Sequence, residues 1–277
     1  MRRVWQASDA QGGGNLILSD DILLRVDAQG IAVVTLNRPA KRNAMSLAMW
    51  RELGVIFTDL ARRPDVRVVI LTGAGGHFCA GADISEFAAV RSTAADAEIY
   101  DRDSGTSYTA IRAMPKPTIA AVEGFAMGGG CGLSLCCDFR VARTGAKFGI
   151  PAAKLGIVYS LGECEALFTT VGLSNAKRIL FSGAPVELDE ALRMGFVDAT
   201  TEGPVEEAAI AFAQRMTENA PLAIAGMKTI LNGLADGSAH GREAEFAKLV
   251  TRSIESDDYK EGGRAFLEKR RAKFQGR

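Results

Sequence analysis

Three short runs of the chain are apolar at almost every position: Ile31 to Leu36, Val66 to Leu71 and Thr118 to Val122. A strand with one wet face alternates apolar and polar residues, so near-continuous β-branched runs of this length predict strands covered on both faces. Between the first two, Leu47, Trp50, Leu53, Phe57 and Leu60 recur at helical spacing, with Ser46 where an N-cap belongs and Pro64 just beyond the end. That pattern predicts strand, helix, strand. Phe139 to Ala142 reads as a fourth strand, and Val197 opens a short edge strand. From Glu163 onward the period turns helical, with helices predicted near Glu163 to Val171, Asn175 to Phe181, Leu188 to Met194, Val205 to Glu218, Pro221 to Leu234, Arg242 to Ser253 and Asp257 to Arg271. Ser85 to Tyr108 carries no readable motif.

The front half is therefore α/β and the back half mostly α. No Pro-, Gly- or Ser-rich linker divides them, so the chain reads as a flexible polar tail (1–15), one core (16–195) and a helical C-terminal region (196–277) packed on that core or on a neighbouring subunit. The tail has no apolar run of the kind a secretory signal needs. The longest weakly polar stretch, Phe125 to Cys137, is well short of the roughly 18 to 20 residues that span a bilayer. Charge narrows the picture further. With 33 Lys+Arg against 33 Asp+Glu the net charge is zero, which argues against nucleic acid or an anionic membrane as the main partner. Five cysteines, Cys79, Cys131, Cys136, Cys137 and Cys164, are an odd number in mostly apolar company and read as reduced thiols of a cytoplasmic protein. Adjacent Cys136 and Cys137, and only two histidines, His77 and His240, give no metal-ligand spacing.

The 30 glycines among 277 residues exceed the usual share, and the surplus falls in loops after strands. Gly73-Ala74-Gly75-Gly76-His77-Phe78-Cys79-Ala80-Gly81-Ala82-Asp83-Ile84 follows the second strand; Glu123-Gly124-Phe125-Ala126-Met127-Gly128-Gly129-Gly130-Cys131 follows the third. Small residues let backbone amides approach a ligand, and consecutive glycines at a helix start present free N–H groups at the positive end of its dipole. The second loop lacks the Lys-Ser or Lys-Thr of a P-loop, and neither has the spacing of a dinucleotide fingerprint.

Taken together, Leu36-Asn37-Arg38-Pro39 with Asn43-Ala44-Met45, Phe78 to Ile84, Pro117 to Asp138, Phe181-Ser182-Gly183, Glu190 to Val197, Ala220 to Ala223 and Phe266 to Arg270 strongly resemble the crotonase superfamily of enoyl-CoA hydratases and isomerases. The match runs from about residue 20 to the C-terminus. It implies a crotonase-like spiral of β-β-α turns, a helical C-terminal region that makes trimer or dimer-of-trimers contacts, and an acyl-CoA thioester as substrate. Coenzyme A would arrive as part of that substrate, with no tightly bound cofactor. The resemblance places two oxyanion-hole N–H groups at Ala80 and Gly129, the loop with Lys41, Arg42 and Ala44 beside the nucleotide end of CoA, and Ala80, Gly81, Ala82, Asp83 and Ile84 along the pantetheine and adenine.

Hydratases of the family carry two catalytic glutamates, and here those positions hold Gly132 and Ala152. Neither residue moves a proton, which undermines ordinary hydration and isomerisation. The stretch Lys154 to Glu165 is similar to methylmalonyl-CoA decarboxylases of the superfamily, with a tyrosine at Tyr159. Decarboxylation suits a site without glutamates, because departing CO₂ leaves the electrons a base would otherwise generate. Tyr159 is the candidate to orient a carboxylate, Glu163 leads Glu165 as a stand-in carboxylate, and Ser160, where some members place an aspartate, ranks below Tyr159. A CoA-binding scaffold that has lost its activity is the competing reading.

Overall fold

The structure, a computed structural model, describes Leu16–Ile17 and residues 19–277. The expected tail at 1–15 lies outside the described residues. In chain order the elements are β1 (Leu16–Ile17), β2 (Ile22–Val26), β3 (Ile31–Leu36), α1 (Leu47–Arg62), β4 (Val68–Gly73), α2 (Phe87–Val90), α3 (Ala94–Arg112), β5 (Thr118–Val122), β6 (Phe125–Met127), α4 (Gly129–Cys136), β7 (Phe139–Arg143), β8 (Lys147–Gly149), α5 (Leu161–Ser182), β9 (Val186–Glu187), α6 (Leu188–Arg193), β10 (Ala199–Thr201), α7 (Val205–Thr217), α8 (Pro221–Ala235), α9 (Glu243–Glu255) and α10 (Asp257–Leu267).

The main sheet runs β1-β2-β3-β4-β5-β7-β10. Its first two pairings are antiparallel, and β3 through β10 are parallel, in registers such as Val33 opposite Ile70 and Ile70 opposite Ile119. The continuous apolar runs have the expected cause. Val34, Leu36, Val69, Leu71, Ala120 and Val122 face the large core with α1, whereas Ile31, Val33, Val68, Ile70, Ile119, Ala121 and Val141 face α7 through Val205, Ala209 and Ala213. Both faces are dry, so both need apolar side chains. β6, β8 and β9 form a second, small sheet in the order β6-β8-β9. The step from β5 to β6 through Gly124 turns the chain from one sheet to the other, which is the β-β-α spiral.

One boundary differs from the sequence reading. The expected division at residue 195 cuts through the packed unit, because β10 pairs with β7 and α7 covers the sheet. The two helices predicted over 163–181 are both present within α5, separated at Gly172, whose φ of 76° and ψ of 166° no helix accommodates. The unread stretch holds α3, whose inward residues are Tyr100, Asp103, Ser104, Ser107 and Ile111. Three of those five are small or charged, so the apolar period is absent although the helix packs on α1. Its start was legible in principle: Thr93 and Asp96 form a capping box. In the helical C-terminal region Met227, Leu231 and Leu234 of α8 and Val250 and Ile254 of α9 are more than half exposed. Among the described residues no helix is long and apolar enough to cross a membrane.

Candidate active site

The two glycine loops meet beside α4. Backbone bonds from Cys79 N to the Phe125 oxygen and from Met127 N to the Cys79 oxygen, both 2.9 Å, lay the first loop along β6. On its other side Met45 N donates to the Gly81 oxygen at 2.8 Å and Asp83 N to the Met45 oxygen at 2.9 Å. Gly81 sits at φ 102°, and a β-carbon there would lie 2.8 Å from the Met127 oxygen and 3.4 Å from the Gly129 nitrogen. Only glycine brings the 81–82 peptide this close to the start of α4.

These bonds decide which amides are free. The Ala80 N–H donates to the Arg42 carbonyl at 3.0 Å, so the donor expected from the resemblance is already engaged. Among the wall residues of the two loops, the N–H groups of Ala82, Ile84 and Gly129 take no acceptor among the described residues, and of these Ala82 and Gly129 flank the close approach of Gly81 to the start of α4. Gly129 is the first residue of α4, where no intrahelical partner exists and the dipole is positive. The Met45 bridge holds Gly81 and Asp83 and leaves the residue between them unpaired, a pairing that the sequence did not announce.

Ala82 and Gly129 line a cavity of about 370 Å³ whose wall also includes Trp50, Tyr108, Ala152, Tyr159, Ser160 and Glu163. Its carboxylates are Glu163 and, with Arg91 3.2 Å away, Asp101. Tyr159 is half-buried, and its hydroxyl has no hydrogen-bond partner among the described residues. Burial, with Glu163 nearby, pushes this phenol far above its ordinary value, so it enters any reaction protonated. Ser160 is the N-cap of α5: its hydroxyl donates to Glu163 Oε2 at 2.6 Å and accepts from the Glu163 amide at 3.4 Å. That engagement leaves Ser160 no proton for a substrate. Glu163, a wall residue, keeps Oε1 without a hydrogen-bond partner among the described residues. Glu165 is absent from the wall and pairs with Arg112 at 2.7 Å.

The expected CoA-contacting residues divide. Ala80, Gly81, Ala82 and Ile84 line the cavity; Lys41, Arg42, Ala44 and Asp83 do not. Asp83 is 6% exposed and accepts from Arg38 at 3.0 Å and Lys41 at 2.7 Å. Burial pushes its carboxyl up, but the hydrogen bonds from Lys41, Ser85 and Arg38 outweigh that and hold it well below the usual carboxylate range. It therefore anchors the Arg38–Lys41 loop. Arg42 lies with its guanidinium carbon 5.8 Å from the Phe125 ring centre, on which His77 also stacks at 5.1 Å. Ala44 gives its carbonyl to Arg38 at 2.8 Å.

One wall residue had no sequence signal. Tyr108 of α3 donates its hydroxyl to the Gly129 carbonyl at 3.1 Å and packs edge-on against Trp50. A β-carbon at Gly132 would lie 3.1 Å from its oxygen and 3.3 Å from two ring carbons. Burial pushes its hydroxyl well above the ordinary phenol value, with Glu163 and Tyr159 adding to the shift. The thiols of Cys79, Cys131 and Cys136 are buried, and burial pushes each up to about 12; none lines the main cavity. Among the described residues no group of three or more His, Cys, Asp or Glu could hold a metal ion.

The sequence model of the Enoyl-CoA hydratase/isomerase family matches residues 27–277. The chain belongs to that family. It is 35% identical over 267 residues to a crotonyl-CoA hydratase of Syntrophomonas wolfei, covering 92% of this chain and 98% of that one. With a 2,3-dehydroadipyl-CoA hydratase of Escherichia coli it shares 34% identity over 250 residues, covering 90% and 96%. The crystal structure of an enoyl-CoA hydratase/carnithine racemase from Magnetospirillum magneticum superposes with a TM-score of 0.88 at 36% identity, over 94% of this chain and 97% of that one. Family membership thus carries the crotonase fold, and positions 132 and 152 of this chain hold glycine and alanine.

Proposed function

We propose that this family member binds an acyl-CoA thioester in the 370 Å³ cavity and holds its enolate oxygen on the N–H groups of Ala82 and Gly129. The carrying observation is that these two wall amides are unengaged and are brought together by a glycine no other residue can replace. Preorganised donors of this kind act where charge develops, and losing one costs about 2.7 to 4 kcal/mol in acyl transfer.

The reaction this wall fits best is decarboxylation of a β-carboxylated thioester. The bond to the carboxylate breaks, CO₂ leaves, and its electron pair moves into the thioester carbonyl to form the enolate. No base is required, which matches glycine at 132 and alanine at 152. A thioester enolate is a stronger base than a phenolate, so the Tyr159 hydroxyl protonates the α-carbon and regains its proton from water. Hydration is the second reading, supported by the unengaged Oε1 of Glu163 on the same wall. Coenzyme A enters only as part of the substrate. The exposed apolar residues of α8 and α9 suit a trimer or dimer of trimers, and a monomer at micromolar concentration by light scattering would count against that assembly.

The test is a mass-spectrometric turnover assay with methylmalonyl-CoA and crotonyl-CoA in parallel. Loss of CO₂ without hydration is the expected result. Fast hydration would replace it with the Glu163 reading, and binding without turnover of either thioester would point to the scaffold.

A further inference from the structure

The cavity continues behind Tyr108. A smaller chamber of about 130 Å³ lies there, floored by Gly132, Leu135, Cys136 and Ala166 and reaching Arg112. Gly105, Tyr108, Tyr159, Ser160 and Glu163 belong to the walls of both spaces. Of these, Tyr108 is held from three sides: its hydroxyl is tied to the Gly129 carbonyl, its ring packs on Trp50, and its edge rests on Gly132.

We infer that Tyr108 is the partition that sets how long an acyl chain the site accepts. This rests on the thioester reading above and goes beyond it by naming the residue and the class of chain. With the carbonyl under Ala82 and Gly129, the acyl group runs toward the neighbouring Tyr108 ring, and a short chain fills the space in front of it. Removing the ring joins the chamber to the cavity. The chamber suits hydrocarbon and disfavours a chain ending in a carboxylate. Arg112 is already matched by Glu165 at 2.7 Å and by the Gly162 carbonyl at 3.1 Å, so the unmatched charge at the junction is the carboxylate of Glu163. A chain-end carboxylate would meet a like charge.

Isothermal titration of butyryl-CoA, hexanoyl-CoA, octanoyl-CoA and adipyl-CoA against the native chain, Tyr108→Phe, Tyr108→Leu and Tyr108→Ala tests the inference. Each methylene entering the chamber should tighten binding about fourfold, so Tyr108→Ala should raise the octanoyl-to-butyryl affinity ratio by roughly 10- to 100-fold. Tyr108→Leu, which keeps apolar bulk against Trp50, should give an intermediate ratio if the alanine variant folds poorly. Tyr108→Phe keeps the ring and should keep the native ratio, and adipyl-CoA should bind more weakly than hexanoyl-CoA to every form. An unchanged ratio in the leucine and alanine variants, with thioesters still bound, would overturn the partition alone. Failure of the native chain to bind any of the four would overturn the thioester reading itself.

Discussion

Replacing Gly81 by alanine tests the geometry on which the donor pair depends. The new methyl carbon would be placed 2.8 Å from the Met127 oxygen and 3.4 Å from the Gly129 nitrogen, on a residue at φ 102°. The first contact is closer than real side chains tolerate, and both neighbours are backbone, so neither swings aside. Relief requires the 80–83 segment to draw back from α4 by several tenths of an ångström. Positive φ costs an alanine about 1 to 2 kcal/mol, and forcing a methyl into a packed site typically costs 1 to 3 kcal/mol more. A destabilisation of about 2 to 5 kcal/mol by urea unfolding is therefore expected. The functional loss is separate and is read with acetoacetyl-CoA, whose enolate absorbs in the near ultraviolet. The native chain should raise the enolate absorbance on binding. Gly81→Ala should bind the thioester yet lose most of that rise, in line with the 10²- to 10³-fold effect of removing one such donor. A folded Gly81→Ala protein that raises the enolate band as the native chain does would refute the assignment of Ala82 and Gly129.

Three further outcomes follow from the same contacts. Glu163→Gln retains an oxygen for Ser160 and so keeps the α5 cap; decarboxylation should change by less than about threefold, whereas Tyr159→Phe should slow it 10-fold or more, and a loss of 10² or more on Glu163→Gln in steady-state kinetics would favour hydration. Asp83→Asn should cost about 1 to 3 kcal/mol in urea melts at neutral pH, because Arg38 loses its buried partner. The Asp83 carboxyl is held below its unfolded value near 3.9, so its contribution is complete above that pH and fades as pH falls through the folded value; the gap between native and variant should narrow below about pH 4. Gly263→Ala in α10, where an added methyl meets nothing within 4 Å, should raise stability by about 0.5 to 1 kcal/mol.

The strands with two dry faces were legible because burial on both sides leaves only apolar residues, and Ile31–Leu36 and Thr118–Val122 emerge with the predicted ends. Ser46 caps α1 as read, accepting from the Met49 amide at 3.2 Å. What stayed hidden depends on partners far away in sequence. Nothing local tells that the Ala80 N–H points to Arg42 while that of Ala82 is free, since the choice is made by the pairing of Met45 with the loop. Asp83 looks like a ligand contact in a ligand-facing motif, and only the fold reveals Arg38 and Lys41 closing on it. Tyr108 lies on a helix whose inner face is built from serine and aspartate, so no apolar period announces it.

The contact between Tyr108 and Gly132 also has an evolutionary reading. A side chain at 132 and a ring at 108 compete for one volume, so neither position changes freely while the other stays as it is. Bringing a carboxylate to 132 from the present state would first need a smaller residue at 108, through an intermediate with a hollow beside α4 and a loosened Gly129 carbonyl. The reverse passage meets the same valley from the other side. The two positions should therefore vary together among relatives, aromatic with glycine and small with glutamate, and a lineage that has crossed to the aromatic pair is held there by packing as well as by whatever reaction it performs.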